Sequence, residues 1–282
     1  MNYDANGNLI QKAPPSDPIA SDRYTYDLEN HLTQVMHPKT KSITLNLQPG
    51  WNFISLPVIP LDTKISAIFS GYTIGPGQPI EQIAKYDPVN DTFLHFGGSS
   101  KFDQFQTLDY GTGYQVYCNQ AVSLTLTGLT PTQQKQQALG GGLSKGNPWH
   151  LIPSVETGDR NLTIGALLKN VPFDPKNIFR YDALKQSLQP ITPNTTAAIG
   201  EAYYIKLTRS ATWTLPMPVF VRTNFTYDGD GGRVTKTDSS GTTTYLGESY
   251  EIRPTGDTVT HLFAGSQRTA SLTSNSSLQT SN

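Results

Sequence analysis

Apolar and polar residues alternate in short runs along most of the chain. Tyr114-Gln115-Val116-Tyr117 and Leu124-Thr125-Leu126 each put apolar side chains on one face of an extended segment, the pattern of half-buried strands. Tyr3-Asp4-Ala5-Asn6-Gly7-Asn8-Leu9-Ile10 sets an Asn-Gly pair between an aromatic residue and apolar ones, which predicts a β-hairpin because Asn-Gly tolerates positive φ angles. Tyr24 to Val35 again reads strand, polar turn, strand. Three- and four-residue apolar spacing occurs in Thr63 to Phe69 and in Leu162 to Leu168, and each predicts one short helix. Long windows of strong helix formers are nearly absent. The expected fold is all-β, mainly antiparallel, with tyrosine-aspartate hairpins flanking two small tandem β-rich modules.

Five landmarks recur in one order through the middle of the chain. The first series is Gly50-Trp51-Asn52-Phe53-Ile54-Ser55-Leu56-Pro57, Ile65 to Phe69, Tyr86-Asp87, Gly111-Thr112-Gly113-Tyr114, and Leu124 to Leu126. The second is Trp149-His150-Leu151-Ile152-Pro153, Ile164 to Leu168, Tyr181-Asp182, Gly200-Glu201-Ala202-Tyr203, and Trp213-Thr214-Leu215. Such order predicts a duplication. The expected division is hairpins at 1–42, a first module at 43–128, a linker at 129–145, a second module at 146–217, further repeat strands at 218–266, and a polar tail at 267–282. Gln133 to Gln137 followed by Gly140-Gly141-Gly142 suggests that the linker is flexible or frayed. If the outer hairpins share one sheet, the double module is an insertion that leaves and re-enters that sheet at neighbouring points.

Charge narrows the partners. Lys plus Arg number 21 and Asp plus Glu 22, without a block of either sign, so no nucleic acid partner is expected. The longest apolar runs, such as Phe53 to Pro60, are far shorter than the ~20 residues of a spanning helix, so no membrane span is expected. Cys118 is the single cysteine, which excludes an internal disulfide and reads as a small core residue.

The hairpin signature returns near the C-terminus as Phe225-Thr226-Tyr227-Asp228-Gly229-Asp230-Gly231-Gly232-Arg233-Val234, followed by Gly241-Thr242-Thr243-Thr244-Tyr245, Tyr250-Glu251, Phe263-Ala264-Gly265 and Gln267-Arg268. With Tyr26-Asp27 these residues resemble the YD-repeat (RHS-repeat) family over about the first forty and the last sixty residues. The resemblance implies hairpins that coil into a hollow β-shell, as in bacterial surface and insecticidal toxin proteins. It also implies an extracellular or cell-surface location. The Gly50 to Pro57 segment with its closing Gly-x-Gly-Tyr strand resembles a Gly-Trp-Asn type β-module of large secreted bacterial proteins. Met1 stands directly before a repeat, and no Asp-Pro-rich segment or effector domain follows Arg268, a pattern expected of a fragment or shortened relative.

A lone hairpin is marginal in water, so each repeat is expected to pair with neighbours. The landmark residues Tyr3, Asp4, Gly7, Tyr26, Asp27, Tyr227, Asp228, Gly231, Trp51, Trp149, Tyr114 and Tyr203 are therefore read as structural, with Tyr26 and Tyr227 packing and Asp27 and Asp228 holding turn N–H groups.

No catalytic, cofactor-binding or metal residue is expected. His31, His37, His95, His150 and His261 are scattered, and no Gly-x-Ser-x-Gly elbow occurs. In Gly140 to Gly146 the Lys is not followed by the Ser or Thr of a phosphate loop, and in Asp228 to Gly232 the third calcium-ligand position is Gly232 with no Glu closing the loop at the needed distance. The expected role is a non-catalytic structural or interaction segment of a secreted or surface protein, with self-association or a longer repeat chain as partner. A carbohydrate-binding module is the alternative, with Tyr72, Tyr86, Phe93, His95 and Tyr110 as candidate glycan contacts. A toxin shell lacking its effector is the second alternative.

Overall fold

A computed structural model of the chain describes residues 1–12, 20–87, 89–90, 92–98, 103–159, 161–217 and 222–274. In chain order its strands are β1 (Asn2–Tyr3), β2 (Leu9–Lys12), β3 (Asp22–Tyr26), β4 (Leu32–Met36), β5 (Thr40–Leu47), β6 (Gly50–Ser55), β7 (Ile59–Pro60), β8 (Ile80–Asp87), β9 (Thr92–Gly97), β10 (Gly113–Cys118), β11 (Val122–Leu129), β12 (Gln136–Leu139), β13 (Trp149–Pro153), β14 (Phe173–Asp182), β15 (Ser187–Pro190), β16 (Ala202–Leu207), β17 (Ala211–Thr214), β18 (Arg222–Tyr227), β19 (Arg233–Asp238), β20 (Gly241–Leu246), β21 (Tyr250–Ile252), β22 (Thr258–Ala264) and β23 (Gln267–Ser274). Two single-turn helices, α1 (Ile65–Ile68) and α2 (Ile164–Leu167), lie within the two runs of helical spacing. The fold is all-β and mainly antiparallel.

The chain forms two units, one from the described residues of 1–14, 21–38 and 220–282, the other from those of 15–20 and 39–219. The first unit is one ten-stranded meander in the order β1-β2-β3-β4-β18-β19-β20-β21-β22-β23. Every neighbour in this sheet is also the next strand of the unit in sequence, and the long excursion falls between β4 and β18. Those two pair directly, Arg222 opposite Met36 and Asn224 opposite Gln34. The Gln34 amide donates to Asn224 Oδ1 at 2.8 Å across 190 positions.

Alternation gives the meander two unlike faces. One carries cross-strand neighbours Tyr24, Val35 and Thr223, and farther along Tyr245, Glu251 and Val259. The other carries a polar rung of Thr25, Gln34, Asn224, Thr237 and Thr242, and a second rung of Thr226, Thr235 and Thr244. The hydroxyls of Thr226 and Thr235 meet at 2.6 Å and those of Thr237 and Thr242 at 2.9 Å.

Three turns of this sheet are the same object. Asp4, Asp27 and Asp228 each accept at Oδ1 from the peptide N–H two and four residues on: Asn6 (3.0 Å) and Asn8 (2.8 Å), Glu29 (3.1 Å) and His31 (2.8 Å), Asp230 (3.1 Å) and Gly232 (2.7 Å). The fourth residue of each turn has positive φ: Gly7 at 85°, Asn30 at 65° and Gly231 at 80°. The turn from Arg253 to Asp257 repeats this backbone, with Gly256 at 86°, without an aspartate at its head.

The second unit contains both modules, and their sheets share one strand order. The first has β6-β10-β8-β9 beside β5-β11-β7; the second has β13-β16-β14-β15 beside β12-β17. Their cores centre on Tyr114, Ile83, Val116 and Leu124 in the first, and on Tyr203, Ile178, Ile205 and Trp213 in the second. The Trp213 indole N–H donates to the Leu167 carbonyl at 3.0 Å, tying α2 to the last strand.

Three expected boundaries move. β5 begins at Thr40 and pairs with β11 along its whole length, so the first module starts before residue 43. Gln136 to Leu139 is not a frayed linker, because it pairs residue for residue with β17 and buries Leu139. Gln267 to Ser274 is not a tail, because it continues the meander as β23 against β22; residues 275–282 of the expected tail lie outside the described residues. In each case the segment supplies backbone partners that the neighbouring strand requires.

Candidate functional site

Within the second unit the two modules meet through the faces that carry their aromatic residues. Phe53 on β6 stacks on Tyr181 at the end of β14, ring centres 4.4 Å apart and planes 7° from parallel. Ser55 donates its peptide N–H to the Gly200 carbonyl at 2.8 Å and its hydroxyl to the Ser154 carbonyl at 2.6 Å. Close approach is possible because Gly113 faces Leu151, where a Cβ would come within 2.6 Å.

Gln186 fastens the other end of the contact. Its Oε1 accepts from the Trp51 N–H at 2.6 Å, and its Nε2 donates to the carbonyls of Pro49 and Trp51 at 3.2 Å each. The residue holds φ at 50°, a region that side chains with a Cβ seldom occupy. Gly50 beside it has φ of 93°, and a Cβ there would lie 2.3 Å from Gln186 Oε1.

Between these contacts lies a cleft of about 240 Å³. Leu45, Leu47, Ile54 and Ile199 form its apolar lining, Phe53 and Tyr181 add aromatic surface, and Thr44, Asn46 and Glu201 supply polar groups. Glu201 Oε1 accepts from Arg180 at 2.5 Å, and Oε2 accepts from the Tyr203 hydroxyl at 3.0 Å. The Glu201–Arg180 pair raises the Arg180 pKa against the opposing effect of desolvation.

Tyr86, Phe93 and His95, three of the five expected glycan contacts, share one face of the β8–β9 pair. The rings of Tyr86 and Phe93 are 5.2 Å apart, and the Tyr86 hydroxyl meets the Asn147 side-chain amide. His95 Nδ1 is buried without a hydrogen-bond partner. Tyr72 and Tyr110 lie elsewhere. Tyr72 packs on the first core and donates to the Ser123 carbonyl at 3.0 Å, while Tyr110 is buried in the second module's core, where burial pushes its phenol pKa well up. Trp51 meets Tyr117 edge-on at 5.2 Å, and Trp149 stacks on Tyr204 at 5.3 Å.

Comparison with protein-family models, curated proteins and solved structures finds no match.

Two polar clusters belong to the meander. His31 Nδ1 lies 3.2 Å from Asp27 Oδ2, and Asp27, Glu29 and His31 have ligand atoms within 4.8 Å of one another. Asp27 is already engaged by turn N–H groups, and the His31 ring stacks on Tyr227 at 4.8 Å, so this group closes a turn between strands. His261 Nδ1 lies 2.8 Å from Ser271 Oγ directly across the β22–β23 pair, with Glu251 Oε2 at 3.6 Å from Nε2.

Phe53, Arg180, Tyr181, Gln186 and Glu201 were absent from the residues singled out as contacts by sequence. Phe53, Tyr181 and Glu201 stand at duplication landmarks, which was the available signal. The Gln186 clasp depends on a positive φ that no residue type announces.

Proposed function

We propose that this chain is a non-catalytic structural and interaction segment of a secreted or cell-surface bacterial protein of the YD-repeat kind. Its meander contributes to a β-shell or extracellular assembly, and its duplicated module is an insertion between two repeat strands. The observation that carries this reading is the recurrence of one aspartate-capped turn at Asp4, Asp27 and Asp228 within a single sheet that resumes, strand beside strand, after the insertion. Repeats of this sort gain stability by adding neighbours at their edges.

The partner expected from this logic is a second copy or further repeats. All eight residues of the edge strand β23 are exposed. Sedimentation velocity across a wide concentration range should show association that weakens when Thr269→Pro or Ser271→Pro removes an edge N–H. A strictly monomeric profile at every concentration would count against the assembly reading. Protease shaving of intact source cells tests location: release of repeat peptides is expected, and their retention with cytosolic markers would overturn it.

A further inference from the structure

The two modules differ where their duplication should make them alike. The loops before the closing strands correspond: the N–H of Asp109 donates to the Tyr114 hydroxyl at 2.7 Å, and the N–H of Ala198 donates to the Tyr203 hydroxyl at the same distance. Gly111 and Gly200 follow with φ of 79° and 83°. Each glycine presses on a leucine across the module contact, Gly111 on Leu215 and Gly200 on Leu45. The residue between these landmarks is Tyr110 in the first loop and Ile199 in the second. Tyr110 is buried in the core of the opposite module, whereas Ile199 lines the open cleft. One side of the contact is filled by an aromatic ring and the other is left with space.

That space has a definite chemistry. Its volume of about 240 Å³ is below the roughly 300–1,000 Å³ of pockets for larger ligands, which suits a single ring-sized unit. The Phe53–Tyr181 pair and the leucine and isoleucine lining offer an apolar surface. Glu201, 29% exposed, keeps acceptor capacity beyond its bonds to Arg180 and Tyr203, because a carboxylate has about four lone-pair directions. Arg180, outside the lining, holds Glu201 Oε1 in place at 2.5 Å. Thr44 and Asn46 border the cleft with side chains that are hydrogen-bonded across β5–β11, to Thr125 at 3.0 Å and to Ser123 at 3.2 Å. A pyranose presents the complement: C–H groups on one face, and around its edge adjacent hydroxyls that each donate and accept. An anionic ligand would meet the Glu201 carboxylate.

We infer that the inter-module cleft binds a neutral hexopyranose unit, its C–H face on the aromatic and aliphatic lining and its adjacent hydroxyls on the Glu201 carboxylate. This site stands independently of the repeat sheet. Tyr86, Phe93 and His95 lie outside its lining.

The test is saturation-transfer NMR on the full chain with methyl α-glucopyranoside, methyl β-galactopyranoside, methyl α-mannopyranoside and methyl β-N-acetylglucosaminide. Transfer to the C–H protons of at least one is expected. Ile199→Tyr, which places in the cleft the side chain its sister loop carries, should abolish that transfer, and the near-isosteric Glu201→Gln should weaken binding at least tenfold with an unchanged circular-dichroism spectrum. Loss in either folded variant supports the site, so a folding failure of Ile199→Tyr leaves Glu201→Gln to decide. Absence of transfer from all four glycosides, or transfer undiminished in every folded variant, would overturn the inference. Retention on an insoluble polymer of the active sugar, released by its methyl glycoside, assigns the ligand to a glycan; transfer without retention assigns it to a free sugar.

Discussion

His150 shows how one position carries different chemistry in the two modules. It aligns with Asn52, one residue after each tryptophan. Asn52 closes on its own preceding turn, accepting from the Gln48 N–H at 2.8 Å and donating to the Gln48 and Gly50 carbonyls. His150 instead accepts at Nε2 from the Gly140 N–H at 3.0 Å, which requires an unprotonated nitrogen, and burial pushes its pKa from 6.5 down to about 4. A depressed histidine pKa contributes stability that is complete above 6.5 and is lost as pH falls through about 4. The full difference is about 3 kcal/mol. Thermal melts between pH 7 and pH 4 should therefore steepen in loss for the native chain and flatten for His150→Gln. The tyrosines give a second prediction at this scale. Tyr114 and Tyr110 are both buried, but only the Tyr114 hydroxyl has a partner, the Asp109 N–H. Tyr114→Phe should cost about 1–3 kcal/mol in denaturant unfolding, whereas Tyr110→Phe should be neutral or stabilising.

At the scale of elements, turns and module contacts decide whether strands meet in register. Asp27→Ala removes the acceptor for two N–H groups and should lower the melting temperature, while Asp27→Asn should retain most of the effect because its carbonyl still accepts. Gly50→Ala meets both a φ of 93° and the Gln186 side chain. It should destabilise the second unit by roughly 1–3 kcal/mol, and amide exchange at Trp51 should quicken with it. Much of this level was legible in sequence. Asn-Gly and Asp-Gly pairs mark the turns, and the repeated Trp, Tyr-Asp and Gly-x-x-Tyr landmarks mark equivalent strands. β12 and β23 were not, because Gln136-Gln137-Ala138 and Thr269-Ala270-Ser271 have little apolar alternation and owe their extended form to β17 and β22. The cleft was hidden for a similar reason: its residues come from β5, β6, β14, β16 and adjoining loops, which only the fold brings together.

For the molecule as a whole, Cys118 reports on global opening. It is fully buried in the first module, and burial pushes its thiol pKa up to about 11. Alkylation by a maleimide should be slow in native buffer and should track denaturant unfolding; rapid labelling of the folded chain would contradict the packing of β10. The meander has its own consequence. Met36 and Arg222 stand opposite each other on adjacent antiparallel strands, so the chain leaves the sheet and comes back within the span of one hairpin. Replacing everything between them with a short Asn-Gly turn would leave the strand sequence of that sheet uninterrupted.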